Sequence, residues 1–377
     1  MEINKTKTIE FIKVLRSIAV LLVIWAHLGC MWPQNSGIEW FGTKIINSLI
    51  NIPLVLIQYS GAFSVCLFFI ISGFITTHTI QNESRFQFII KRGLRIYPTL
   101  ILSTIIFYCF TKVLSLCNIS TWWEQFNIKE WILSGTLTMY FFNWSDSING
   151  VTWTLVVGLI FYFLCFILIN CIKKNADLTM ILILIINFYS INIFHLMGKS
   201  HILIQSLSYI PIILFGQIIY YYWVKWISAK KLVIYCIINY LIWVQNLRLY
   251  LPEYYEGTEP YGPSLVYTII IFLLAMSFND KLEEYMQNKK SIVVSVINFS
   301  SKNSYSIYLN HMTFGTLLLT IFNGFHIPFG VNLIITIILI LILSQFVYKY
   351  IETPFIQVSE LILKKWNNNC SIYDSLK

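Results

Sequence analysis

Arg16 and His27 are ionisable residues set in an otherwise apolar stretch that runs from about Val14 to Met31. A charge inside a bilayer is costly, so such residues are functional candidates by default. Eleven positions apart on one helix, they stand about 16 Å apart along the axis and about 20° apart around it. That spacing predicts one shared cavity, with Arg16 near its cytoplasmic mouth and His27 deep in the membrane. A neutral imidazole there can take a proton from a hydroxyl, because its pKa lies near working pH. The competing reading is a histidine whose ring is satisfied by a neighbouring backbone carbonyl.

Arg92 and Arg95 lie in Lys91-Arg-Gly-Leu-Arg-Ile-Tyr-Pro98 at the cytoplasmic start of an apolar segment. At i and i+3 they share a helix face and could clamp an anionic group such as a phosphate. Plain anchoring of a span end by positive charge is the simpler reading of these residues alone. His311, in Ser304-Tyr-Ser-Ile-Tyr-Leu-Asn-His, sits about two turns into another span and by itself reads as a packed histidine. Glu352 falls at the cytoplasmic end of the last span, near the interface, where a lysine could pair with it. Trp122, Trp123, Trp131, Trp144 and Trp153 cluster in 120–153. They could stack on sugar rings or form the aromatic belt of a membrane interface.

The elements that must position these residues follow from composition. Of 377 residues, 57% are hydrophobic and only 11% charged, and mean hydropathy is +0.69. Soluble domains carry about 25% charged residues, so this chain reads as an all-α integral membrane protein. A span needs roughly 20 apolar residues. Ten segments qualify: 12–32, 61–79, 96–116, 153–172, 178–197, 203–223, 232–251, 264–279, 304–323 and 331–350. Residues 131–144 are apolar but too short, and read as an interfacial or re-entrant piece. With ten spans, one face keeps only Lys44, Lys112, Lys129, Lys199 and Arg248 of the 26 Lys and Arg. Positive charge marks the cytoplasmic side, so both termini are expected there, with 1–351 as the membrane domain and 352–377 as a short cytoplasmic tail.

The net charge of +9 is accounted for by those loops, and no nucleic-acid partner is expected. The eight cysteines form no CxxC pair and read as small hydrophobes, without a disulfide frame or a metal site. The first apolar stretch lacks a small-residue cleavage site and reads as a retained helix. No paired, Gly/Pro-broken helices suggest the inverted repeats of a transporter.

Five segments in order resemble the acyltransferase family 3 of membrane acyltransferases. Arg16 followed by ten residues and His27 is similar to the family's Arg-x10-His helix. Phe63-Ser-Val-Cys-Leu-Phe-Phe-Ile-Ile-Ser-Gly-Phe-Ile75 resembles its Phe-Phe-x-x-Ser-Gly-Phe helix, and Arg92-x-x-Arg95-Ile-Tyr-Pro98 its Arg-x-x-Arg motif. Ser304-Tyr-Ser-Ile-Tyr-Leu-x-His311 and Tyr350-Ile-Glu-Thr-Pro-Phe355 complete the set.

The resemblance implies a bacterial inner-membrane enzyme with no bound cofactor. It would move an acyl group, usually acetyl, from acyl-CoA in the cytoplasm to a hydroxyl of an envelope sugar or polysaccharide, free or lipid-linked. It casts His27 as the catalytic group, Arg16 as its partner and Arg92 and Arg95 as acyl-CoA contacts. Ser72 and Gly73 would line the core of the site, with Trp153 and His311 near the substrate. One position departs from the pattern. Trp153-Thr-Leu-Val-Val-Gly158 aligns with a motif that carries glutamate where this chain has Gly158. That departure keeps a second expectation open, a non-catalytic polysaccharide exporter or accessory membrane protein.

Overall fold

A computed structural model describes residues 9–142, 148–197, 201–254, 262–288 and 290–375. Among them the secondary structure is helical throughout, without a strand. The long helices are α1 (Glu10–Asn35), α2 (Gly61–Ile80) and α3 (Arg85–Leu116). The short α4 (Ile128–Gly135) follows, then α5 (Trp153–Ile167) and α6 (Ala176–Leu196). Next come α7 (His201–Trp223), α8 (Ala229–Tyr254) and α9 (Gly262–Ser277). The chain ends with α10 (Asn279–Met286), α11 (Ile292–Lys302), α12 (Ser304–Gly324), α13 (Phe329–Val347) and α14 (Thr353–Ser375).

Seven described helices are long and apolar enough to cross a membrane, and the α9–α10 pair, bent by 68°, would make eight. Two of the ten expected spans fall short for different reasons. The α5 helix has only 15 residues. The α12 helix has 21 but buries Ser304, Ser306, Asn310, His311 and Thr313, so its inner face lowers its hydropathy. Residues 131–144 form, up to Phe142, the end of α4 and a separate helical turn Met139–Phe142, neither long enough to cross a membrane. Trp144 lies outside the described residues.

The core is built on close helix contacts. The α2 and α7 helices approach so closely that a Cβ on Gly73 would run into the Ile213 carbonyl, and one on Gly216 into that of Ile70. Small residues at a crossing let backbones meet, which is how helices gain packing where lipid removes the hydrophobic drive. Gly73 is therefore a packing residue at this crossing, while its neighbour Ser72 lines the cavity described below. The α1 helix packs against α2, α11 and α12, held by Ser64 Oγ donating to the Ala19 carbonyl at 2.7 Å and by the Ser17–Ser300 hydroxyl pair at 2.6 Å. On α13 the opposite holds: Val331, Ile334, Ile338, Ile342 and Phe346 are exposed at helical spacing, an apolar stripe suited to lipid.

Two of the candidate residues sit on π-helical turns. The first helix is α-helical to Ile24 and π-helical over Trp25–Met31, and Tyr348–Glu352 forms a second such turn. A π turn holds an extra residue, re-aims the side chains beyond it, and is frequent at functional sites.

Candidate functional site

A cavity of about 220 Å³ opens among α1, α2, α3, α5 and α12. The capping box of Ser84 and Gln87 fixes the start of α3, and its phase brings the half-buried Arg92 and the exposed Arg95 to the cavity wall. Arg16 from α1 joins them on the wall. Ser72 and Thr76 come from α2, Thr154, Gly158 and Tyr162 from α5, and Ser304, Tyr305 and Tyr308 from α12. Three guanidiniums on one small cavity could hold an anionic group.

The three arginines are not equivalent. Arg92 is pinned: its guanidinium donates to Thr79 Oγ1 at 2.6 Å, lies 3.5 Å from Glu83 Oε2, and stacks over Phe88 at 4.9 Å. Lys91 shares Glu83 at 3.0 Å. Arg16 and Arg95 instead have each other and Glu352 as charged neighbours. Glu352 is buried and accepts a hydrogen bond from Ser306 Oγ at 2.9 Å. It is thus a carboxylate facing the arginine group, and the expectation of an interfacial residue paired with lysine is corrected. The π turn that carries Glu352 explains why the helix end points inward.

His27 and His311 meet, although 284 positions separate them: His27 Nδ1 lies 2.8 Å from His311 Nε2, with the rings stacked 5.0 Å apart. The far nitrogen of His311, Nδ1, faces the carbonyls of Tyr308 at 2.8 Å and Ile307 at 3.2 Å. Carbonyls only accept, so Nδ1 carries the proton. In neutral rings His311 Nε2 then accepts from His27 Nδ1–H, and the lone pair of His27 is left on Nε2. This chain of bonds builds a proton acceptor whose tautomer is set by backbone.

The expected common cavity is corrected in one respect. Arg16 lines it and His27 does not; the π turn beginning at Trp25 breaks the uniform helix on which the spacing was reckoned. Tyr308 lies between the two features. It lines the cavity, its ring packs on His311 at 5.7 Å, and its hydroxyl reaches Thr154 Oγ1 at 2.7 Å and the Val151 carbonyl at 2.9 Å. His27 is half-buried.

The tryptophans divide. Trp131 is buried against Phe107 and Tyr108, and Trp123 donates Nε1–H to the Ile148 carbonyl at 3.2 Å, so both are structural. Trp153 does not line the cavity. It packs on Phe69 and Tyr209 and leaves the wall to Thr154 and Leu155. The residues that sequence reading overlooked are Tyr162, Tyr305, Tyr308 and Ser306. A signal was present in Ser304, Tyr308 and His311, which fall at i, i+4 and i+7 and mark a polar face on an otherwise apolar helix.

Comparison with known proteins agrees with the motifs. A family model described as an acyltransferase domain matches residues 9–349. Nodulation protein 10 of Rhizobium leguminosarum bv. viciae is 30% identical over 159 residues, which cover 37% of this chain and 36% of that protein. The match thus spans about a third of that relative's length. No solved structure matches. With nearly the whole chain covered, the protein belongs to the acyltransferase family 3, as a multi-pass membrane protein.

Proposed function

We propose that the protein transfers an acyl group, acetyl in the simplest case, from acyl-CoA on the cytoplasmic side to a hydroxyl of an envelope sugar at the bacterial inner membrane. The observation that carries this reading is the His27–His311 pair, because its bonding leaves a lone pair on His27 Nε2. The donor's phosphates would lie against Arg92, Arg95 and Arg16. The acceptor would approach His27 from outside the cavity, which His27 does not line. A two-sided site of this kind suits a donor and an acceptor held in different compartments.

In the reaction, His27 Nε2 takes the proton of the acceptor hydroxyl as its oxygen attacks the thioester carbonyl. The C–O bond forms, the C–S bond breaks, and the thiolate leaves. The imidazolium then returns the proton to the thiolate, which departs as free thiol. His311 orients the base and shares its positive charge through the Nδ1–H bond, the part that a hydrogen-bonded partner plays in other base-catalysed acyl transfers. Gly158 is no obstacle to this chemistry, since the base and its orienting partner are both histidines.

The test is release of free thiol from acetyl-CoA by membranes that contain the protein, supplied with envelope polysaccharide. His27→Ala should reduce the rate at least about 10²-fold, the usual worth of a general base, at unchanged protein level. Full residual activity would remove His27 from the reaction.

A further inference from the structure

The α5 helix shows Thr154, Gly158 and Tyr162 to the cavity, each one turn from the next, so Gly158 stands about 6 Å along the axis from either neighbour. On one side of it, Thr154 is bonded to Tyr308, whose ring packs on His311. On the other, Tyr162 lies 5.8 Å from the Arg92 guanidinium. Gly158 is therefore midway between the Tyr308 end of the cavity, behind which the histidine pair lies, and its arginine end.

A Cβ placed on Gly158 would meet no heavy atom within 4 Å. This is the reverse of Gly73 and Gly216, where a neighbouring helix occupies the space. Close packing therefore does not call for glycine at 158, and glycine is a poor residue for a helix interior. What the bare backbone does supply is clearance in the middle of the cavity. The wall from α2 alongside is largely apolar, through Val65, Phe69 and Ile75.

A ligand whose phosphates are held at the arginine end can present a reactive carbonyl at the Tyr308 end, toward the histidines, only through a thin linking chain. We infer that Gly158 is the throat through which the uncharged arm of a phosphorylated thioester donor passes, and that the bare position determines which donors the protein accepts. This rests on the donor assignment made above.

The test is equilibrium binding to the purified full-length protein in lipid nanodiscs, with coenzyme A and with its head group alone, adenosine 3′-phosphate 5′-diphosphate. The wild-type protein should bind coenzyme A more tightly than the head group. In Gly158→Leu the affinity for coenzyme A should fall about tenfold or more, toward that of the head group, while head-group affinity stays within about twofold. Retained head-group binding also shows that the variant is folded and its arginine end intact. If both ligands weaken together in the variant, or neither does, the throat is overturned while the donor assignment stands. A wild-type protein that binds neither ligand overturns the donor assignment and the throat with it.

Discussion

At the scale of single residues, the histidine pair divides a base from the group that orients it. His311→Ala should lower kcat by about 10²-fold and leave the donor KM unchanged, because its ring nitrogens bond to His27 and backbone and it does not itself line the cavity. Steady-state kinetics check this, and a rise in KM with intact kcat would count against it. Arg95→Gln should raise the donor KM about tenfold, the worth of one charged hydrogen bond. Glu83→Gln should act more weakly, by loosening Arg92 from the carboxylate that pins it. Sequence spacing was enough to set Arg92 and Arg95 on one helix face, since that phase can be counted, but it placed Arg16 with His27 and did not bring it to the wall that the other two arginines share. It could not pair His27 with His311 or seat Glu352 among the arginines, because those contacts join opposite ends of the chain. The π turns at Trp25–Met31 and Tyr348–Glu352 leave no signature in residue spacing and defeat a count made at 3.6 residues per turn.

At the scale of elements, the helix that carries the most polar inner face is the one whose hydropathy suffers. Ser304, Ser306, Asn310 and His311 make α12 too polar for the apolar class, although it lies in the middle of the site. The contact between α2 and α7 has the opposite character, with glycines and apolar residues throughout its closest approach. Gly73→Ala should cost about 2 kcal/mol or more, because backbone rather than a flexible side chain blocks the new methyl. Gly93→Ala, where a Cβ meets nothing within 4 Å, should instead be neutral or stabilise by up to about 1 kcal/mol. Thermal unfolding of the two variants in the same detergent separates them; equal melting temperatures would contradict the packing role of Gly73. The existence of these helices was legible from apolar length alone. Which glycine packs and which lines a cavity was not, because both read as a small residue in an apolar run until the neighbouring helix is known.

At the scale of the whole molecule, the distribution of Lys and Arg argues that both termini lie in the cytoplasm, with α5, α9 and α12 completing a set of ten crossings. Reporters fused in turn to the two ends should both give the cytoplasmic response, fluorescence from a green fluorescent protein and no activity from a periplasmic phosphatase. A phosphatase active at one end would require an odd number of crossings. In this arrangement the arginine end of the cavity would face the cytoplasm, where the proposed donor is found. The central claim is that the chain acylates an envelope sugar through His27. Proton NMR of the purified surface polysaccharide tests it most directly, comparing wild type, a deletion strain, and the deletion strain carrying His27→Ala. Acyl-ester signals should be present in the wild type and absent from the other two. Unchanged esters in the deletion strain, with the polymer lost from the surface, would contradict acylation and point to export.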